Sequence, residues 1–468
     1  MKSSIVRLLG KLLLALLLAY LVFAVLCFLL EPVLSRRTPG ANGQILTTDS
    51  RPDTERILCL DDNTAALEWR LRAIDAAQEK IALSTFQLGM DESATDVMAA
   101  LRAAAQRGVR VQLLVDGGLG SILLPGCDRF QALAATPGVE IRFYNRISPL
   151  RPWKANYRLH DKYLLIDDSL YILGGRNTLN LFLGNYQDTQ NVDRDLLVCT
   201  AHPEENTSID QIWAYFAHIW DDPASRPVKV RLNEQTAQAA QGLNAHYAAL
   251  PEAYPNAYGP MDWAAQTTPV HLVQYLVNPS HAGNKTPELW KTMQQVLRKG
   301  TDVTIQTPYI ICDKDMYADL TELAGPGRRL TLLTNAVENG ANPWGCTDYL
   351  NQKQKILATG AEVYEYARDH SLHAKAILVD DSISFVGSFN LDMRSAYLDT
   401  ESMLYVESPE LNAHLRRCME EDMTYSRHVA PDGTVTAGSN LDMPSFTLPK
   451  KFMYGALRLI LPAMRHLL

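Results

Sequence analysis

The sequence has no excess of positive charge: 44 Lys and Arg stand against 52 Asp and Glu, a formal net charge of −8. A global field able to hold a nucleic-acid duplex nonspecifically is therefore excluded, and no nucleic-acid partner is expected. Any basic contact surface has to be local. Seven cysteines include no CxxC pair and no Cys/His metal-ligand spacing, which argues against a zinc centre, so neither metal nor cofactor is expected. Aromatics make up only 8% of the chain, and Gly 26 and Pro 24 are ordinary counts for 468 residues. These proportions exclude collagen-like, low-complexity and disordered classes, and the length suits two or three domains with real cores.

The chain does have one long hydrophobic run. Nineteen consecutive apolar or aromatic residues extend from Leu12 to Leu30. As a helix they reach about 28 Å, close to the hydrocarbon thickness of a bilayer. Lys2, Arg7 and Lys11 precede the run and Arg36 and Arg37 follow it, with Glu31 offsetting one of the latter. That balance favours a cytoplasmic amino terminus and an extracytoplasmic body. No polar stripe marks a core helix and no small-x-small cleavage site follows, so residues 1–38 are expected to be an uncleaved, single-pass membrane anchor. Beyond it lie six cysteines (Cys59, Cys127, Cys199, Cys312, Cys346 and Cys418), an even number that permits disulfides.

After a polar linker (39–55) the pattern alternates between helical and strand periods. Asn63 to Lys80 carries Leu67, Leu71 and Ile74 on one helical face, and IALSTF (81–86) reads as a buried strand. A helix from about Asp91 to Gly108 leads to the strands VRVQLLVDG (109–117) and VEIRFY (139–144). The same order returns after Pro269, with Thr286 as N-cap, Pro287 at N1 and Gly300 at the end of the helix. VTIQTPYI (303–310), RRLTLLTNA (328–336) and AEVYEY (361–366) then match the three strands. The expected fold is α/β: two duplicated domains (56–226 and 269–426), each a mixed sheet flanked by helices, with the active site at their pseudo-twofold interface. Ser208 to Asp221 reads as an amphipathic helix packing Trp213, Phe216 and Trp220. A connector (227–268) of undefined structure and a basic, apolar tail (427–468) complete the chain. Asn206 and Asn284 head formal glycosylation sequons.

Each half closes on the same string. HDKYLLIDDSLYILGGRN contains His160, Lys162, Asp167, Gly174, Gly175 and Asn177; HAKAILVDDSISFVGSFN contains His373, Lys375, Asp380, Gly387, Ser388 and Asn390. His and Lys two apart on an extended chain project from one face and can converge on a ligand. YLLI and AILV are apolar throughout, as in a strand buried on both faces with its polar end at a site. Gly and a small residue let the neighbouring strand end approach, and Asn adds a neutral donor. Bringing the two ends together would set two imidazoles, two ammoniums and two amides around one phosphate-sized cavity.

The duplicated motif resembles that of the phospholipase D superfamily, over about Cys59 to Ser426. GGRN (174–177) and NLDMRS (390–395) followed by Glu401 are similar to bacterial cardiolipin synthases, although Leu398-Asp-Thr-Glu401 replaces their Asn-Phe-Glu string. The resemblance implies that one histidine attacks a phosphodiester phosphorus while the other serves as acid and base. The first-motif histidine, His160, would be the nucleophile and His373 the acid/base. Lys162, Lys375, Asn177 and Asn390 would hold the nonbridging oxygens. An acid after each Asn would fix the imidazole tautomers: Glu401 in the second half, and Asp195 in preference to Asp193 in the first. Asp167 and Asp380 complete the signature and are expected to support loops. Ser388 and Arg394 are candidates for phosphate contact or site support.

An offset of 222 residues relates Gly138 to Gly360 but only 213 relates His160 to His373, so the first half carries nine extra residues ahead of its motif. They fall in NRISPLRPWKANYRL (145–159), whose Arg146, Arg151, Trp153, Lys154, Tyr157 and Arg158 mix bases with aromatics in the manner of an anionic lipid interface. Pro449 to Leu468 is basic and apolar, like a segment lying in a membrane surface. Anionic phospholipid and the bilayer are therefore the expected partners. The readings are a membrane phosphatidyltransferase of the cardiolipin synthase kind, a hydrolase (phospholipase D or nuclease), or a noncatalytic lipid-binding module.

Overall fold

The apolar strings YLLI and AILV become the buried strands at the middle of two large sheets, every one of their residues shielded from solvent. The structure, a computed structural model, describes residues 2–39, 54–200, 207–339, 342–443 and 445–468. Most of the expected linker and the Asn206 sequon lie outside these residues.

The first half supplies β1 (Glu55–Leu60), β2 (Lys80–Thr85), β3 (Arg110–Asp116), β4 (Val139–Tyr144), β5 (Tyr163–Ile166), β6 (Leu170–Gly174), β7 (Asp195–Thr200), β8 (Ser225–Pro227) and β9 (Thr268–Pro269). They form one sheet in the order β8-β4-β3-β2-β5-β6-β7-β1-β9. The second half supplies β10 (Leu272–Val277), β11 (Asp302–Gln306), β12 (Ile310–Ile311), β13 (Arg329–Asn335), β14 (Glu362–Tyr366), β15 (Ala376–Val379), β16 (Ile383–Gly387), β17 (Leu391–Asp392), β18 (Ser402–Glu407), β19 (Ser426–Val429) and β20 (Val435–Ala437). Its sheet runs β10-β18-β16-β15-β11-β13-β14-β19-β20, and β12 pairs with β17 separately. Read from opposite ends, the two orders superimpose strand for strand from β1 to β8 and from β10 to β19. In each sheet three neighbouring strands are parallel (β2, β3, β4 and β11, β13, β14), and β5 or β15 joins them antiparallel. The chain is a mixed α/β pseudo-dimer.

Asp91 caps the helix Glu92–Gln106 through Ala94 N (3.2 Å), and Gly108, at φ +101°, turns the chain into β3. The helix expected from Asn63 to Lys80 stops at Ala76, and Lys80 already opens β2. Thr286 is not an N-cap: its hydroxyl donates to Glu288 Oε1 (2.6 Å), and the helix starts one residue later, at Glu288. The connector contains a 20-residue helix, Glu234–Ala253, that buries Leu243 and Leu250 in the first core and binds Asp96 through His246 (2.6 Å). Phe216 and Trp220 pack in a third core shared by the halves, where Tyr163, Leu173, Val198 and Ile212 meet Val273, Leu378, Val386 and Leu404. That shared apolar layer fixes the two sheets against one another.

The helix Lys2–Leu34 is long and apolar enough to cross a membrane. Its second half is held by the body. Tyr20 donates to Pro149 O (2.6 Å), Asn156 to Phe28 O (2.8 Å) and His466 to Leu29 O (2.7 Å). Asn284 donates to Pro32 O (2.8 Å) and is 5% exposed, so its sequon is buried. In the tail, the helix Leu448–Met464 packs Tyr454 and Leu461 on the second half while Leu448, Phe452 and Leu459 face outward. All seven cysteines are free.

Gly387 illustrates how tightly the strands approach, because a Cβ there would run into Ser402 O on β18. Gly387→Ala is expected to lower stability by about 1–3 kcal/mol, measured by thermal unfolding of the solubilised chain.

Candidate active site

Each motif histidine sits on an extended segment that leads into a buried strand, and each segment is held by the opposite half. Leu159 bridges Thr400 and Val192 bridges Leu372. His160 N donates to Thr400 Oγ1 (3.0 Å) and Thr400 N to Arg158 O (3.0 Å). On the other side His373 N and Ala374 N both donate to Val192 O (2.7 and 3.1 Å). The residue after Thr400 is Glu401 and the residue after Val192 is Asp193, so each bridge delivers a carboxylate to the histidine of the other half. His160 Nδ1 meets Glu401 Oε1 at 2.8 Å, and His373 Nδ1 meets Asp193 Oδ2 at 2.6 Å. The pairing is crossed.

The two imidazoles line one cavity of about 620 Å³ together with Asn177, Asn390, Arg158, Arg394, Phe86 and Phe182. Phe86 stands edge-on to His160 (5.2 Å between centroids) and Phe182 to His373 (4.8 Å), which limits how each ring can turn. With Nδ1 of His160 committed to Glu401, Nε2 is the ring atom left for the cavity. Lys162 Nζ donates to His160 O, while Lys375 Nζ donates to His373 O and lies 2.9 Å from Nδ1 of its ring. Two imidazoles and two asparagine amides from sequence-equivalent positions thus line one cavity, with the two lysine ammoniums bonded to the backbone directly behind the imidazoles, a composition suited to a phosphodiester.

A family model described as cardiolipin synthase, phospholipase D-like domain, matches residues 71–220 and 293–423. The chain belongs to this phospholipase D-like family. Cardiolipin synthase C of Escherichia coli K12 is 24% identical over 399 residues, covering 75% of this chain and 81% of that protein. A cardiolipin synthase of Clostridium perfringens SM101 is 26% identical over 368 residues, covering 77% of this chain and 68% of that protein. The fold is shared with the crystal structure of phosphatidylserine synthase from Haemophilus influenzae Rd KW20, at a TM-score of 0.61 and 16% identity, covering 88% of this chain and 95% of that one. Family membership makes the chain an enzyme of the phospholipase D superfamily.

The phospholipase D-like site is electrostatically asymmetric. Burial and the adjacent Lys162 hold His160 well below the ordinary imidazole range, and burial with Lys375 brings His373 down to about 4. Burial raises Glu401 to about 7 against the pull of Lys162 and its serine donors. Asp193 is also buried, yet His373 and Lys375 outweigh that cost and keep its carboxyl below the usual range. Burial lowers Lys162 to about 8 and Lys375 to about 7.

Asp195, expected to orient an imidazole, does not reach either ring. It is fully buried against Arg70 (2.7 Å) and Arg176 (3.3 Å), and Asp193 takes the expected role. Strand register explains the difference: Leu173 pairs Leu196 as Val386 pairs Leu404, which makes Asp193 the counterpart of Glu401 and Asp195 that of Met403. Matching LLV (196–198) to LYV (404–406) would have found it. Gly175 is needed here because a Cβ would strike the Asp193 carboxylate. Asp167 and Asp380 lie away from the cavity, at the turns after β5 and β15, both at φ +47°. Asp167 accepts from the backbone of Gln78, Glu79 and Lys80, and Asp380 from Thr301 and Asp302 (2.8–2.9 Å), so they tie turns to the starts of β2 and β11. Ser388 donates to Glu401 and so positions the carboxylate, as does Ser395 (2.6 Å), which sequence reasoning missed. Arg394 lines the cavity while binding Asp399 (3.0 Å), Asn156 O (2.9 Å) and Leu467 O (3.0 Å). Arg158, counted before only as a loop cation, is 8% exposed in the cavity wall, and its Nη1 has no hydrogen-bond partner.

Asp193→Asn is expected to lower kcat by about 10²–10⁴-fold with the fold intact, since it removes the anion beside His373. Asp195→Asn is expected to cost about 3–5 kcal/mol of stability by stranding buried guanidinium charge, with kcat per folded molecule unchanged. Denaturation and turnover measured on both variants check the assignment.

Proposed function

We propose that the protein is a membrane phosphatidyltransferase of the cardiolipin synthase type. The observation that carries this reading is the pair of imidazoles, one from each half, on a single cavity, each bonded at Nδ1 to the other half's buried carboxylate. Burial and the neighbouring lysines hold both imidazoles low, so His160 is neutral at physiological pH and, with Nδ1 bound to Glu401, presents Nε2 as the nucleophile. His373 stands beside an anionic Asp193; burial and Lys375 still bring it to about 4 in the free enzyme, and the negative charge of a bound phosphodiester adds to that of Asp193 in favouring the imidazolium that supplies the proton. In the first step Nε2 of His160 bonds to the phosphorus of a phospholipid. The bond from phosphorus to the headgroup alkoxide breaks, and His373 gives that oxygen its proton. In the second step His373 takes the proton of an incoming hydroxyl, whose oxygen displaces His160 from phosphorus. Both imidazoles return to their starting states.

Lys162, Lys375, Asn177 and Asn390 hold the nonbridging oxygens and offset charge gathering on them. The relatives named as cardiolipin synthases and the anchor helix support a lipid hydroxyl over water as acceptor. The flanking charges of the anchor favour an extracytoplasmic site.

Incubation of the solubilised protein with phosphatidylglycerol vesicles is expected to yield a diphosphatidyl lipid and glycerol. Phosphatidate alone would instead make the protein a hydrolase. His160→Ala and His373→Ala are each expected to reduce turnover about a thousandfold or more; full activity in both would remove their roles. The pH profile of kcat/KM reports the free enzyme. Both lysines are cationic below their values of about 8 and about 7 and lose that charge as pH rises through them. Deprotonation of the His373 acid, at about 4, already sets a decline from lower pH, so the limb is expected to steepen between pH 7 and 9, and a limb that does not steepen there would contradict the lysine assignment.

A further inference from the structure

Much of the extra segment 145–159 lies outside the catalytic cavity. A second cavity, of about 590 Å³, is walled by Arg146, Arg151, Lys154, Arg226 and His281, with Asp222 as the acid among its lining residues. Among the described residues none of the four Lys and Arg side chains forms an ion pair. Arg146 and Lys154 donate only to backbone carbonyls, Pro227 O (2.6 Å) and Ala282 O (2.5 Å). Asp222 is engaged in a turn through Ala224 N (2.6 Å). Arg146 Nε is buried without a partner, and burial together with the Arg226 charge depresses its guanidinium. Four cations around one acid, none neutralised, repel one another and favour an anion between them.

The place of this cavity selects the anion. Tyr20, whose hydroxyl binds Pro149 O, lies eleven residues before Glu31 in the anchor helix, roughly 16 Å along its axis. The tip of the segment therefore reaches along the apolar run, and it carries Leu150 (87% exposed) and Ile147 outward. Ile147 N donates to Gly117 O (3.3 Å), next to the short helix Gly120–Leu123, where Leu119, Ile122 and Leu123 are exposed. A basic cavity behind an apolar tip, against a membrane-length helix, matches a phospholipid: phosphate inside, acyl chains along the helix. Single-stranded nucleic acid fits less well, since no Phe, Tyr or Trp is among the residues lining the cavity to serve as a stacking platform for a base.

We propose that this cavity binds the phosphate headgroup of an anionic phospholipid, at a site separate from the catalytic one. The proposal rests on the lipid reading above for its ligand class but not on any step of the chemistry. Native mass spectrometry of the full-length, detergent-solubilised His160→Ala protein tests it with dioctanoyl phosphatidylglycerol, inorganic phosphate and a single-stranded oligonucleotide as probes. Adding Arg151→Ser and Arg226→Ser, both outside the catalytic machinery, is expected to weaken one lipid-binding event about tenfold or more. Arg151→Lys with Arg226→Lys is expected to retain it, which separates lost charge from lost fold. Unchanged lipid binding in the serine variant overturns the proposal, as does phosphate or oligonucleotide binding as tightly as the lipid. Turnover of phosphatidylglycerol by the otherwise unaltered chain is read separately. Arginine-dependent lipid binding without any diphosphatidyl product leaves this site standing and removes the transferase reading; product formation with binding indifferent to the arginines does the reverse.

Discussion

The site depends on one exchange between the halves: Glu401 binds the imidazole of His160, and Asp193 binds that of His373. Because each carboxylate comes from the half that lacks its histidine, neither domain carries a finished site. The paired backbone bridges at Leu159–Thr400 and Val192–Leu372 set the register of this exchange, and the shared apolar layer keeps it. Duplication within one chain thus converts a dimer-like interface into a fixed feature, with no association equilibrium to satisfy.

The same exchange lets the halves differ in charge state while keeping one geometry. Glu401 is hydrogen-bonded by two serine hydroxyls in a buried setting, whereas Asp193 stays anionic beside His373 and Lys375. Two lysines less than 5% exposed are expensive to keep charged, which shows in their lowered values of about 8 and about 7. On the proposed reading, the anionic phosphate of the substrate offsets that cost. The extra segment of the first half grips the membrane-length helix Lys2–Leu34 at Tyr20 and Phe28 and at the same time supplies Arg158 to the cavity.

Much of this was legible in the sequence because duplication doubles each signal. Two copies of a His-x-Lys string with glycine and asparagine in step located both strand ends, and strictly apolar YLLI and AILV read as buried strands without ambiguity. Features set by a partner distant in sequence were not legible. The partner of His373 required the register between β6 and β7, so Asp195 was preferred to Asp193. The Arg158 contact and the edge-on phenylalanines join segments with no local pattern between them. Thr286 looked like a helix cap, but its hydroxyl is taken by Glu288, a local competition that spacing does not resolve. The connector lacked strong periodicity because its long helix buries only a narrow face on the first core.

The most direct test of a two-imidazole centre with divided roles is to quench turnover of phosphatidylglycerol in acid-free denaturant and map the covalent phosphatidyl adduct by mass spectrometry. The account predicts a phosphorus–nitrogen adduct on His160, absent in His160→Ala and accumulating when acceptor is withheld. An adduct on His373, or turnover with no adduct on either residue, would contradict it.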